Sequence, residues 1–357
     1  MTSDGETSVA SLVKGTNFQL YGHRNKETLR RVSLTEYWTF KVALIQLHPK
    51  PLDLEHNFNA ASTYIRDAAA QGASLAVLPE YHLTSWVPED PQFAVLAQTA
   101  YQYVPKYQAL ARELKINIVP GTIVTIDPKS PPPAASNGTS ADSTKQPVLL
   151  NIAPFISYTG EILGSYTKAN LWIPERTVLT SGPASVKVNQ HHLSTEEGPP
   201  PHLDPHSMIE TPLGPVGIVI CWDLAFPEAC RSLVRQGARL IIIPTFWTRD
   251  DLTPEARAYG PDVDLQFLSS ALITRSFENT CAIIFVNVGG PKSEGYAGLS
   301  QVVLPLVGKV PGSFDDGEPG MKVVECDMRT VDVAEENYKI REDLKREDWH
   351  YGYSHDK

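Results

Sequence analysis

Three apolar runs in this chain each end in a side chain able to do chemistry. Leu75-Ala76-Val77-Leu78-Pro79 leads into Glu80, a run near 161–167 leads into Lys168, and Gly217-Ile218-Val219-Ile220 leads into Cys221. In α/β folds the loops at strand carboxyl ends present reactive groups from a rigid frame. Taken singly, each has a plainer reading: a cysteine after an apolar strand is usually packed core, and a strand-end Glu or Lys is usually solvated edge. Around Cys221 the context is richer. Pro227, six residues on, suits the first position of a helix, so the cysteine falls at a sharp strand-to-helix turn. Helix amides and a nearby ammonium would both favour thiolate there. Cys230, Cys281 and Cys326 fit the core. A free thiol is only a few per cent ionised at neutral pH and needs a base or a cation. Of the ten histidines, none follows a comparable strand into a turn, whereas Glu80 and Lys168 do. The pattern is Glu–Lys–Cys instead of Cys–His.

The elements that must position these groups alternate along the chain. Val42-Ala43-Leu44-Ile45-Gln46-Leu47 reads as a strand covered on both faces. Leu54, Phe58, Ala61, Ile65 and Ala68 recur at helical spacing, and Gly72 closes that helix. Further helices are predicted near 98–114, 226–236 and 263–278. Strands are predicted near 116–124, 148–157, 161–167, 215–221, 240–244, 281–288, 299–306 and 321–327. Strand–helix alternation with several strand-to-strand connections predicts mixed sheets faced by helices. Residues 1–40 read as an N-terminal extension, 41–330 as the main domain and 331–357 as a charged tail. In that tail Tyr338, Ile340, Leu344 and Trp349 could dock on the body or on a partner subunit. The Pro/Ser/Ala-rich stretch 128–147 reads as a mobile insertion and 187–206 as a long loop.

Composition bounds the partners. The chain has 357 residues, 42% hydrophobic and 20% charged, with 31 Lys plus Arg against 41 Asp plus Glu. A net charge of −10 argues against nucleic acid or an anionic membrane as the main partner. Four cysteines without a CxxC pair suggest neither a disulfide framework nor structural zinc. There is no apolar signal segment at the start and no run of ~18 apolar residues. The expectation is a cytoplasmic protein with reduced thiols.

Three segments together, LAVLPEYHLTSW (75–86), SYTKANLWIPER (165–176) and GIVICWDLAFPE (217–228), resemble the catalytic blocks of the nitrilase superfamily, the carbon–nitrogen hydrolases. RLIIIPTFW (239–247), RSFENTCAIIFVNVGG (275–290) and GLSQVVLPLVGKV (298–310) are similar to its supporting blocks, in order. The resemblance implies an α/β fold, a four-layer α-β-β-α sandwich, with no metal and no cofactor. It implies Cys221 as nucleophile, Glu80 as general base, and Lys168 with the Trp222 backbone amide as the stabiliser of developing charge. Glu175 is the candidate for the family's second glutamate; its plainer reading is a salt bridge to Arg176 or Lys168. A homodimer or larger homo-oligomer is implied as well.

The substrate is less legible. Cys221-Trp222-Asp223-Leu224 is closer to the amidase and carbamoylase branches, while Pro174-Glu175-Arg176 resembles nitrilase spacing. The expectation is hydrolysis of a small-molecule amide or carbamoyl compound through a thioester, with nitrile hydrolysis as the alternative. Tyr81, Trp86, Trp172, Phe246 and Trp247 are candidates for an aromatic substrate pocket. Arg249 could meet a substrate carboxylate, but reads better as a loop arginine. Two readings from other classes stand beside these. One is a metal-binding loop of His191, His192, His202, Asp204 and His206; the other is a catalytically silent member that binds partners.

Overall fold

Hydrophobic residues on β1 (Thr39–Gln46) alternate between two destinations, and that alternation fixes the architecture. Ala43 and Ile45 join a cluster with Leu54, Ile65, Tyr107 and Leu110 from helices, whereas Val42 and Leu44 pack with Val216, Leu240 and Phe285 of a second sheet. A strand buried on both faces must sit between a helical layer and another sheet. The computed structural model describes residues 39–127, 148–182, 205–249 and 252–351.

The first sheet holds β1, β2 (Leu75–Val77), β3 (Asn117–Val119), β4 (Ile123–Ile126), β5 (Leu149–Ile156) and β6 (Ile162–Thr167). The second holds β7 (Ile209–Thr211), β8 (Gly214–Ile218), β9 (Leu240–Thr245), β10 (Ala282–Asn287), β11 (Gln301–Leu304) and β12 (Gly308–Lys309). The chain then returns through β13 (Gly320–Asp327), which pairs antiparallel with β1, Val42 opposite Val324. Strand order is β13-β1-β2-β3-β5-β4 in the first sheet, with β6 on β5, and β12-β11-β10-β9-β8-β7 in the second. The segments β1-β2-β3 and β8-β9-β10 are parallel. Helices α1 (Leu54–Ala70), α2 (Pro91–Ala100) and α3 (Val104–Leu114) lie in the first half of the chain. α4 (Pro227–Arg235), α5 (Pro254–Tyr259) and α6 (Val263–Glu278) lie in the second. With α1 and α3 on one sheet and α4 and α6 on the other, the layers run α-β-β-α. No described helix is long and apolar enough to cross a membrane.

Several elements differ from the sequence-based expectation. The helix expected over 98–114 is two, because Asp90 caps α2 at Gln92 and a 3₁₀ turn at Tyr101–Tyr103 separates it from α3. The boundary drawn at 330 falls inside α7 (Arg329–Tyr338), which continues into α8 (Ile340–Asp343). Val331, Ala334 and Leu344 are buried, the first and last in the main core, while Tyr338 stays exposed. Residues 1–38, 128–147 and 183–204 lie outside the described residues, and with them His191, His192, His202 and Asp204. His206 is buried, stacked on Tyr166 at 5.3 Å between ring centroids.

One glycine ties the fold to the loop that carries Glu80. Gly121 has φ +61°, and a Cβ there would lie 1.8 Å from the Pro79 carbonyl oxygen. A left-handed backbone and a clash with backbone both oppose a side chain. Gly121→Ala is expected to cost about 2–4 kcal/mol, read as a lowered urea midpoint, with turnover lowered as residues 79–80 are pushed aside. An unchanged midpoint would contradict this contact.

Candidate active site

Glu80, Lys168, Glu175 and Cys221 come from three loops, Lys168 and Glu175 sharing the one after β6, and meet in one place. Glu80 lies three residues past β2, Lys168 directly follows β6, Glu175 sits on a 3₁₀ turn (Pro174–Thr177), and Cys221 opens another (Cys221–Ala225) after β8. Lys168 is 1% exposed. Its Nζ lies 2.9 Å from Glu80 Oε1 and 2.6 Å from Glu175 Oε1.

Each carboxylate is held on further sides. Glu80 Oε1 accepts from Asn151 Nδ2 at 2.8 Å, and Oε2 from the Phe246 amide at 2.9 Å. Glu175 Oε2 accepts from the Trp172 amide at 2.7 Å, and Oε1 from the Tyr81 hydroxyl. Glu175 is thus paired with Lys168, and Arg176 instead donates to the Leu171 carbonyl. Asn151 carried no sequence signal beyond being a polar residue in the apolar strand β5.

Cys221 is 7% exposed and has φ +47°, a left-handed conformation rare for a side chain of this kind. Asp223 holds that turn. Its Oδ2 accepts from the Ile220 amide at 2.8 Å and the Tyr166 hydroxyl at 2.9 Å. Its Oδ1 accepts from the Asn170 amide and side chain, both at 2.9 Å. His206 meets the Tyr166 hydroxyl at 3.1 Å. The Cys221 thiol faces the Phe246 carbonyl at 3.9 Å.

Burial dominates the electrostatics of the cluster. Burial pushes the Cys221 thiol well above its usual range; Glu80 pushes the same way, and Lys168 opposes without prevailing. Burial thus outweighs the pull toward thiolate from helix amides and an ammonium, and the resting sulfur keeps its proton. Burial likewise raises Glu80, to about 7; Lys168 lowers it, Glu175 raises it, and a hydrogen bond from Cys221 lowers it again. Burial opposes charge on Lys168, but Glu80, Cys221 and Glu175 together hold the ammonium protonated. His82, two residues from Glu80, belongs to the core: burial lowers it to about 3, and it pairs with the Tyr107 hydroxyl at 2.7 Å.

A cavity of about 520 Å³ opens onto the cluster, the size of a small-molecule site. All five aromatic candidates, Tyr81, Trp86, Trp172, Phe246 and Trp247, line it, as do Lys168, Glu175, Cys221 and Trp222. Trp172 and Trp222 meet edge-on at 4.6 Å, and Tyr81 stacks on Trp86 at 4.9 Å. Arg249 is paired with Asp262 and does not line this cavity. No group of His, Cys, Asp and Glu among the described residues is arranged to hold a metal ion.

The sequence pattern of carbon–nitrogen hydrolases matches residues 41–335. The chain belongs to that family. Its kinship with the nitrilase superfamily extends to named relatives. It is 27% identical to the deaminated glutathione amidase of Bos taurus over 291 residues, covering 80% of this chain and 76% of that one. It is 27% identical to a nitrilase of Pyrococcus abyssi over 300 residues, covering 82% and 91%. In fold it is similar to the amidase of Nesterenkonia sp. AN1, solved with the acetamide moiety of fluoroacetamide added at its active-site cysteine. That match has TM-score 0.59, 22% identity, and 84% and 96% of the two chains covered. This chain is an enzyme of the carbon–nitrogen hydrolase class.

The four cysteines are all free and buried, but of these Cys221 lines the cavity. Iodoacetamide is expected to label Cys221 in the native protein, and Cys230, Cys281 and Cys326 only after unfolding, as read by peptide mass mapping. Because the resting sulfur is protonated, labelling should accelerate as pH rises. Native labelling of Cys230 or Cys281 ahead of Cys221 would contradict the assignment of the cavity.

Proposed function

We propose that this hydrolase cleaves an amide-type carbon–nitrogen bond of a small molecule through a thioester on Cys221. The observation that carries the reading is a buried thiol at the cavity wall beside a carboxylate raised to about 7. A base with that affinity can accept the thiol proton and return it near neutrality.

Glu80 takes the Sγ proton as sulfur attacks the carbonyl carbon, and charge develops on the carbonyl oxygen. Lys168 Nζ, with the Trp222 amide, stabilises that oxygen. Protonated Glu80 then gives its proton to the departing nitrogen, the carbon–nitrogen bond breaks, and amine or ammonia leaves a thioester. Glu80 next takes a proton from water, which attacks the thioester; the acid departs and sulfur recovers the proton. Glu175, fixed by Tyr81 and the Trp172 amide, keeps Lys168 aimed while Glu80 changes charge. The Cys221-Trp222-Asp223-Leu224 sequence supports amides over nitriles.

Cys221→Ala should abolish ammonia release from an amide panel while leaving the melting temperature within a few degrees; retained turnover would remove the nucleophile assignment. Lys168→Met is expected to lower kcat by roughly 10²–10³-fold, the usual loss for one such donor. In pH profiles kcat/KM should fall about tenfold per unit below about 7, where Glu80 is protonated and cannot accept the thiol proton. It should hold level toward pH ~9, because Cys221 and Lys168 are both raised. An acid limb near the ordinary carboxylate range would contradict the proposed base.

A further inference from the structure

Aromatic side chains crowd the cavity at Cys221 while keeping part of their surface open. Trp86, Trp172, Trp222, Phe246 and Phe267 all line it, and each is half-buried. Rings that only pack the core, such as Phe93, Phe155 and Phe285, are fully buried. Large aromatic surface left open at one place marks a site that an apolar group covers. A plainer reading makes these rings mere walls, but three of their backbones belong to the reacting centre. The Trp172 amide holds Glu175, the Phe246 amide holds Glu80, and Trp222 directly follows Cys221. Rings anchored in this way are preorganised, so covering them costs little further ordering.

The rings form a continuous series. Trp172 meets Trp222 edge-on at 4.6 Å, Trp222 lies 5.5 Å from Trp247, and Trp247 lies 5.5 Å from Phe267. Asp264 accepts from Trp247 Nε1 at 3.0 Å and so holds that indole in the wall. The wall offers little to a charged group. Among the described lining residues the one cation is Lys168, which is shared between Glu80 and Glu175, and the second Asp264 oxygen is buried. A carboxylate entering here would lose hydration and meet Glu175 without a free counter-charge. An aromatic ring would lose little and gain offset or edge-on contacts with the wall.

Which part of the substrate lies on the wall follows from the two-step chemistry. Nitrogen must leave beside Glu80 and water must take its place there, so the acyl group alone stays through both steps. We propose that the cavity selects amides whose acyl group is uncharged and carries an aromatic ring, seated against Trp172 and Trp222. The proposal rests on the amide-hydrolase reading and names its substrate class.

The test measures kcat/KM for phenylacetamide and β-phenylpropionamide beside their cyclohexyl counterparts, butanamide and glutaramate. The better aryl amide should exceed butanamide and glutaramate at least about tenfold, and its cyclohexyl counterpart about threefold. N-phenethylacetamide, with the ring on nitrogen, should gain nothing over N-ethylacetamide. Trp172→Leu should cut the aryl preference over butanamide at least about fivefold, and Trp172→Phe should restore most of it. Glutaramate as the best substrate, a ring preferred on nitrogen, no aryl preference, or one untouched by Trp172→Leu would overturn the proposal. Calorimetric binding of the same amides to Cys221→Ala separates it from the hydrolysis reading. Tighter aryl binding without any wild-type turnover would keep the proposal and sink the hydrolysis; turnover without any aryl preference would do the reverse.

Discussion

A single buried ammonium between two buried carboxylates is the constraint on which the site depends. Lys168 is bonded to Glu80 and Glu175, and all three side chains are buried. With both acids ionised the trio carries one net negative charge in a poorly solvated place; with Glu80 protonated it is neutral. Burial, opposed by Lys168 and aided by Glu175, is why Glu80 is raised to about 7, while the neighbouring acids let Lys168 keep its proton. Removing the lysine would strand two carboxylates, and breaking a buried pair commonly costs about 3–5 kcal/mol. The same low-dielectric setting keeps the Cys221 thiol protonated until the neighbouring base accepts its proton.

Holding like charges this close needs a stiff frame, and the two central sheets supply it. Lys168 follows β6, and its amide donates to the Asn151 carbonyl of β5, while the Asn151 side chain reaches Glu80. Phe246, just beyond β9, donates its amide to Glu80 and presents its carbonyl to Cys221. The two sheets are therefore bridged by the chemistry itself. Backbone strain gathers at the same points: Tyr81 and Cys221 both have positive φ, and each is fixed by side-chain hydrogen bonds to its loop. Strain at these residues is tolerated because the neighbouring contacts over-determine it.

Much of this was legible in the sequence because strand-end chemistry leaves a strong local mark. Apolar runs ending in Glu80, Lys168 and Cys221 marked the three loops, and the unbroken apolar run at Val42–Ile45 marked a doubly covered strand. Asn151, Asp223 and Asp264 were not legible as site residues, since each acts through a partner distant in the chain. Asn151 serves Glu80, 71 positions away; Asp223 serves Tyr166, 57 positions away; and Asp264 serves Trp247 from another element. The balance between thiol and thiolate was illegible for a related reason. Helix position and a nearby lysine are visible in a sequence, whereas the depth of burial that outweighs them is not. Likewise α7 looked like charged tail because its polar residues outnumber the few, Val331 and Ala334, that dock it.

The central claim is that Glu80 is a base poised near neutrality by burial beside Lys168 and Glu175. Its most direct test is the difference infrared spectrum between the wild type and Glu80→Gln, followed through pH. The account expects a carboxylic-acid band assigned to Glu80 that gives way to carboxylate as pH rises through about 7. A Glu80 that is fully ionised at pH ~5 and above, as an ordinary solvated glutamate is, would contradict it.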